Sequence, residues 1–221
     1  MSTLVLTRER LRETPLDTLF AGLPPGYRIR SEAELRSSLE GVLEAHDRGT
    51  DVHVFGYGSL MWNPAFEFSD AARARVLGWH RRFCLRLVIA RGTPSVPGAM
   101  LALDRGGSCD GMLFRIPAAK AFAELQLLWK REMATGAYEA RWMAVRAGER
   151  PVRALTFVVN RAHERYIGGL PIEQVAHMIC TGQGALGTNR AYFEDMLRSL
   201  AAMGVRDAGM ERLRRAILAR S

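Results

Sequence analysis

The chain has 221 residues, 48% hydrophobic and 24% charged, and its 31 Lys+Arg against 23 Asp+Glu give a formal charge of +8. That length fits one soluble domain with a sizeable core, and no apolar run is long enough to span a bilayer. The N-terminus lacks the pattern of a signal peptide, and three scattered cysteines without a CxxC pair indicate neither zinc nor a disulfide framework, so the expected location is the cytoplasm.

Residues 1–50 read as a helical extension. "GLPPGYR" is a Pro/Gly turn, and "SEAELRSSLEGVLEAH" opens on a capping box, Ser31 with Glu34 three places on. Leu35, Leu39 and Val42 follow at helical spacing, so an amphipathic helix is expected to pack on the outside of the main domain, residues 51–221. From 52 to 160 the pattern favours strands, at 52–57, 73–79, 81–89, 98–104, 111–116, 138–146 and 152–159. "DRGGSCDG" (104–111) reads as a turn joining two of them in a hairpin.

The densest basic cluster lies within these strands. In "HRRFCLRLVIAR" (80–91), Arg82, Cys84, Arg86 and Val88 alternate with Phe83, Leu85, Leu87 and Ile89, which suits a strand with one charged face. An anionic small-molecule pocket is the functional alternative. One helix, 118–135, interrupts the strands, with Phe122, Leu125, Leu128 and Trp129 along one side. After residue 160 the chain turns helical. Pro171 suits a first helical residue, Thr188 or Asn189 a cap for a helix that stops at Gly204, and Asp207 a cap for a basic tail. The expected fold is α+β: a largely antiparallel, barrel-like sheet with one embedded helix and helices at both ends.

The segment "VFGYGSLMW" (54–62) carries the sharpest functional question. A dinucleotide fingerprint needs a third glycine where Met61 stands, a P-loop needs a lysine, and a nucleophile elbow needs G-x-S-x-G. None fits. Two readings stay open: a plain turn with a buried tyrosine, or a strand end whose bare backbone N–H groups meet a carboxylate or an oxyanion. The five histidines show no telling spacing.

The loop is followed in order by "GWHRRFCLR", "RGTPSVPG", "LDRGGSCDGMLFRIP", "WKREMATGAY", "RYIGG" and "GALGTNRAYFEDML". That series, over residues 52 to 205, resembles the ChaC family of γ-glutamylcyclotransferases, the branch that acts on glutathione. The resemblance implies a small mixed β-barrel with flanking helices and no metal or organic cofactor. The implied reaction cleaves glutathione to 5-oxoproline and Cys-Gly. The implied partner is this small molecule rather than nucleic acid or membrane. The oligomeric state is not implied.

The reaction explains the residue types. The α-amine of the γ-glutamyl group attacks its own side-chain carbonyl, so no protein nucleophile is needed. Holding the substrate bent contributes at best roughly 7–11 kcal/mol. A base must take a proton from the ammonium, and Glu132 in "REMATGAY" matches the family's catalytic glutamate; a surface glutamate paired with Arg131 is the bland alternative. By the same resemblance, Val54, Phe55, Gly56, Tyr57, Gly58 and Ser59 hold the γ-glutamyl group, with N–H groups near Gly58 and Ser59 facing its carbonyl or carboxylate. Arg91 is a candidate partner for a substrate carboxylate, with a structural salt bridge as the equal alternative, and Tyr166 is a candidate pocket residue, whereas Tyr138 is expected to pack. The alternatives are a cyclotransferase for other γ-glutamyl amides or peptides, and a non-catalytic regulator of cation transport.

Overall fold

The computed structural model describes residues 6–149 and 151–220. Five strands form a closed barrel: β1 (Val52–Gly56), β2 (Asp70–Leu87), β3 (Gly98–Ile116), β4 (Tyr138–Arg146) and β5 (Pro151–Val159), in the order β1-β3-β2-β4-β5. All neighbours in that order are antiparallel, and the barrel closes through a parallel contact of β1 with β5 at Val54 and Leu155. Closure leaves β1 with a partner on either side, which fits its near-continuous burial.

The seven expected strands become five because β2 and β3 are two long, bent ribbons of 18 and 19 residues. Residues 104–111 stay inside β3 and are not a hairpin turn. Their glycines serve a bulge: Gly106 and Gly107 have φ of +104° and +68°, and Gly78 on the facing strand has +79°. The register shifts there, between Leu77 and Trp79. The reversal between β2 and β3 falls instead in residues 88–97.

The helices follow their local signals. α1 (Arg8–Glu13) and α2 (Leu16–Leu19) precede α3 (Glu32–Leu43), whose capping box has both of its hydrogen bonds. α4 (Ala118–Glu132) buries Ala121, Leu125, Leu128 and Trp129, while Phe122 is exposed beneath Arg36, a correction to the expected stripe. α5 (Ile172–Thr181) starts after Pro171. A two-stranded ribbon, β6 (Gln183–Gly184) and β7 (Gly187–Thr188), leads into α6 (Asn189–Ala202), capped by the Thr188 side chain. α7 (Ala208–Leu218) is capped by Asp207.

The N-terminal helices are built into the core. Leu16, Leu35, Leu39 and Leu43 belong to the cluster that holds Val54, Trp129 and Phe157. Trp142 on β4 donates from Nε1 to the Val42 carbonyl at 2.9 Å, which fixes α3 against the barrel wall. No helix among the described residues is long and apolar enough to cross a membrane.

Candidate active site

The chain leaves β1 at Gly56 and turns at once. Gly56 has no room for a side chain: a Cβ there would lie 2.9 Å from the Leu60 Cβ and 3.1 Å from the Phe114 ring. Ser59–Met61 form a single 3₁₀ turn, held by Met61 N–H to the Gly58 carbonyl (2.8 Å) and Asn63 N–H to the Ser59 carbonyl (2.9 Å). The N–H groups of Ser59 and Leu60, which open that turn, have no acceptor among the described residues. A Cβ on Gly58 would meet Leu101 at 3.1 Å. Glycine therefore bares the backbone on the side facing Leu101 and Tyr192.

Glu132, the last residue of α4, comes to the same place. Its carboxylate and the loop line one cavity of about 20 Å³, together with Leu60, Leu101, Tyr138, Phe157 and Tyr192. Dense protein around the Glu132 carboxylate pushes its pKa up, although the side chain keeps 15% of its surface accessible. Arg131 opposes that rise: its Nε lies 3.0 Å from Glu132 Oε1. The same guanidinium donates to Ser59 Oγ at 2.7 Å and to the Asn63 carbonyl at 2.6 Å. One arginine thus ties the carboxylate to the loop. Glu132 does pair with Arg131, but inside the molecule, so the bland expectation of a surface pair does not hold.

Three tyrosines form the walls. Tyr57 donates to the Phe157 carbonyl (2.7 Å) and Tyr138 to the Leu101 carbonyl (2.6 Å), both buried. Burial and the nearby Glu132 hold Tyr57 far above the usual phenol range; burial, Tyr57 and Glu132 do the same for Tyr138. Tyr192 is pushed up to about 12, by burial first and Glu132 next, and it lines the cavity with Ser59. All three phenols are neutral at physiological pH. Ser59 faces a guanidinium and a phenol rather than an imidazole, so nothing beside it would activate it as a nucleophile.

The structure divides the expected site residues. It brings Tyr57, Gly58, Ser59 and Glu132 together. Val54, Phe55 and Gly56 are buried strand residues outside the lining and deliver the loop rather than face the cavity. Arg91 stands behind Tyr192, its guanidinium 5.8 Å from the ring centroid and its Nη1 on the Thr188 carbonyl. Tyr166 stands outside this lining, its hydroxyl donating to the buried Asp104 at 2.9 Å. Tyr138 lines the cavity as well as packing. Tyr192 and the bridging role of Arg131 were missed; the one sequence cue was the adjacency of Arg131 to Glu132. Among the described residues no three His, Cys, Asp or Glu side chains group as a metal site requires. A larger cleft of about 600 Å³ lies beyond Met61 and Trp62, away from Glu132.

A family model described as ChaC-like protein matches residues 52–220. The chain belongs to the ChaC family. A glutathione-specific γ-glutamylcyclotransferase of Escherichia coli (strain K12) is 37% identical to this ChaC protein over 95% of the chain and 90% of that relative. One from Schizosaccharomyces pombe (strain 972 / ATCC 24843) is 31% identical over 66% of the chain and 81% of that relative. The crystal structure of a yeast γ-glutamyl cyclotransferase specific to glutathione superposes with a TM-score of 0.71 over 77% of this chain and 96% of that one. At 19% identity that likeness concerns the fold, which is a γ-glutamylcyclotransferase barrel with flanking helices.

Proposed function

We propose that this ChaC protein is a glutathione-specific γ-glutamylcyclotransferase of the cytoplasm, releasing 5-oxoproline and Cys-Gly. The observation that carries the reading is the largely enclosed Glu132 set across a small cavity from the Tyr57–Gly58–Ser59 loop. Two relatives of this specificity, at 37% and 31% identity, give the substrate. Three unpaired cysteines are in keeping with a reducing compartment.

The chemistry follows from the groups present. The γ-glutamyl moiety lies bent in the cavity with its α-amine toward Glu132 and its carbonyl toward the N–H groups of Ser59 and Leu60. Glu132 takes a proton from the ammonium, and the freed nitrogen attacks the side-chain carbonyl carbon. The oxyanion forms where the N–H groups point, and it collapses as the bond to the cysteinyl nitrogen breaks. Glu132 returns its proton to that leaving nitrogen. The second proton, shed by the new ring nitrogen, passes through water to the released amine. Burial raises the proton affinity of Glu132 and Arg131 restrains it, which suits a group that must both take and give a proton. A cavity of about 20 Å³ holds little more than one water, so the lining side chains part as substrate enters.

The test is to incubate pure protein with glutathione and measure 5-oxoproline and Cys-Gly, with γ-Glu-Ala and oxidised glutathione alongside. Glu132→Gln is expected to lower kcat roughly 10²–10⁴-fold, the usual contribution of a positioned acid/base. Undiminished turnover by that variant would contradict the mechanism, and equal rates on γ-Glu-Ala would contradict the specificity.

A further inference from the structure

The family model starts at residue 52, yet the extension before it reaches both halves of the site. On the loop side, the Asn63 side chain donates to the Leu6 carbonyl at 2.9 Å, while the Asn63 carbonyl accepts from Arg131 Nη1 at 2.6 Å. On the helix side, Arg30 meets the chain just after Glu132: its N–H donates to the Ala134 carbonyl at 2.9 Å and its Nη1 to the Met133 carbonyl at 3.3 Å. The next two carbonyls are also taken. Thr135 O pairs with His163 Nε2 at 3.0 Å, and Gly136 O accepts from Asn160 Nδ2 at 3.1 Å. Four consecutive carbonyls beyond the catalytic helix thus accept hydrogen bonds from other segments, two of them through Arg30. Further back, Trp129 Nε1 donates to Ser38 Oγ at 3.4 Å, and the buried Glu124 accepts from Arg8 Nε at 3.1 Å and from Glu67 N–H at 2.9 Å.

We propose that residues 6–43 are a positioning part of the active site, with Leu6 on the loop and Arg30 on the α4 exit holding the two halves in register. This rests on Glu132 and the loop being the site, as proposed above. The physical case is one of tolerance. A helix end with free carbonyls frays, and a loop end without a partner drifts; either displacement moves Glu132 relative to the bent substrate. Arg30 and Asn63 are not among the residues lining the cavity, so they act through α4 and the loop. The groups that face Glu132 are Arg131 on its own helix, Tyr57 from the loop, Tyr138 from β4 and Tyr192 from α6.

The test uses full-length Arg30→Met, Arg30→Lys and Asn63→Leu. Folding is verified by circular dichroism, and each variant gets two readouts. The first is kcat and KM for glutathione. The second is the carboxyl ¹³C titration of Glu132, assigned with Glu132→Gln, which needs no turnover. In Arg30→Met and Asn63→Leu, kcat is expected to fall roughly ten- to a hundredfold with KM little changed, and the Glu132 midpoint to move toward that of an ordinary glutamate as water reaches it. Arg30→Lys is expected to recover part of both. Folded variants with unchanged kcat and an unchanged Glu132 midpoint would overturn the proposal. Wild-type protein that releases no 5-oxoproline would instead fail the functional reading, while the titration still decides the clamp.

Discussion

Glu132, the proposed acid/base, is a residue whose partial burial works against stability. Its folded pKa is raised, so the folded state favours the protonated carboxyl. Below the ordinary glutamate value of 4.5 folded and unfolded chains both carry the proton and no penalty applies. As pH rises through the folded value the native state must hold a buried charge and loses stability. Glu132→Gln is therefore expected to unfold at higher denaturant concentration than wild type at pH 7, with the difference vanishing below about pH 4.5. Urea titrations at the two pH values check this, and a variant less stable than wild type at pH 7 would contradict it. The acid limb of kcat/KM is expected above 4.5 for the same reason. Gly56 tests the loop at the same scale. An alanine there meets Leu60 and Phe114 at 2.9 and 3.1 Å, so Gly56→Ala is expected to cost about 1–3 kcal/mol, read from the shift in denaturation midpoint.

Among the elements, the turn after α4 connects helix chemistry to barrel wall. His163, from the loop after β5, reaches it as a neutral imidazole: its Nδ1 accepts from Arg165 N–H at 3.2 Å, which leaves the proton on Nε2 to donate to the Thr135 carbonyl. Burial holds its pKa below the ordinary 6.5, with Arg165 and Arg30 acting in the same direction and the Thr135 carbonyl and Glu164 against it. The contribution of His163 is full above 6.5 and is lost as pH falls from there toward the folded value. In urea unfolding, wild type is expected to lose stability relative to His163→Gln as pH falls from 7 to 5.5, the Glu132 contribution being common to both. An unchanged slope in the variant would contradict the assignment. Elements with local signals were legible in advance: Ser31, Thr188 and Asp207 cap the helices they were expected to cap. The β2–β3 ribbon was not, because glycines that bend a long strand look the same as glycines that end a short one.

For the whole molecule, what stayed hidden is what depends on distant partners. The apolar stripe of α3 was visible, but not that Leu39 lies wholly buried in the barrel's core. The loop and Glu132 could be named from motifs 73 residues apart; Arg131 as their bridge and Tyr192 as a wall needed the fold. Burial of Leu16, Leu35, Leu39 and Leu43 contributes about 1.5–3 kcal/mol apiece, a sum comparable with the whole stability of a typical domain. A chain beginning at residue 51 is accordingly expected to show no cooperative unfolding transition; a sharp transition would contradict the shared core.

The central claim is that the substrate's own amine, with Glu132 handling its proton, breaks the γ-glutamyl bond. Turnover of glutathione in water enriched in ¹⁸O, followed by mass spectrometry, tests it most directly. Ring closure takes no oxygen from solvent, so the product is expected to be 5-oxoproline at its natural mass. Glutamate carrying one ¹⁸O would show that water, and not the α-amine, is the nucleophile.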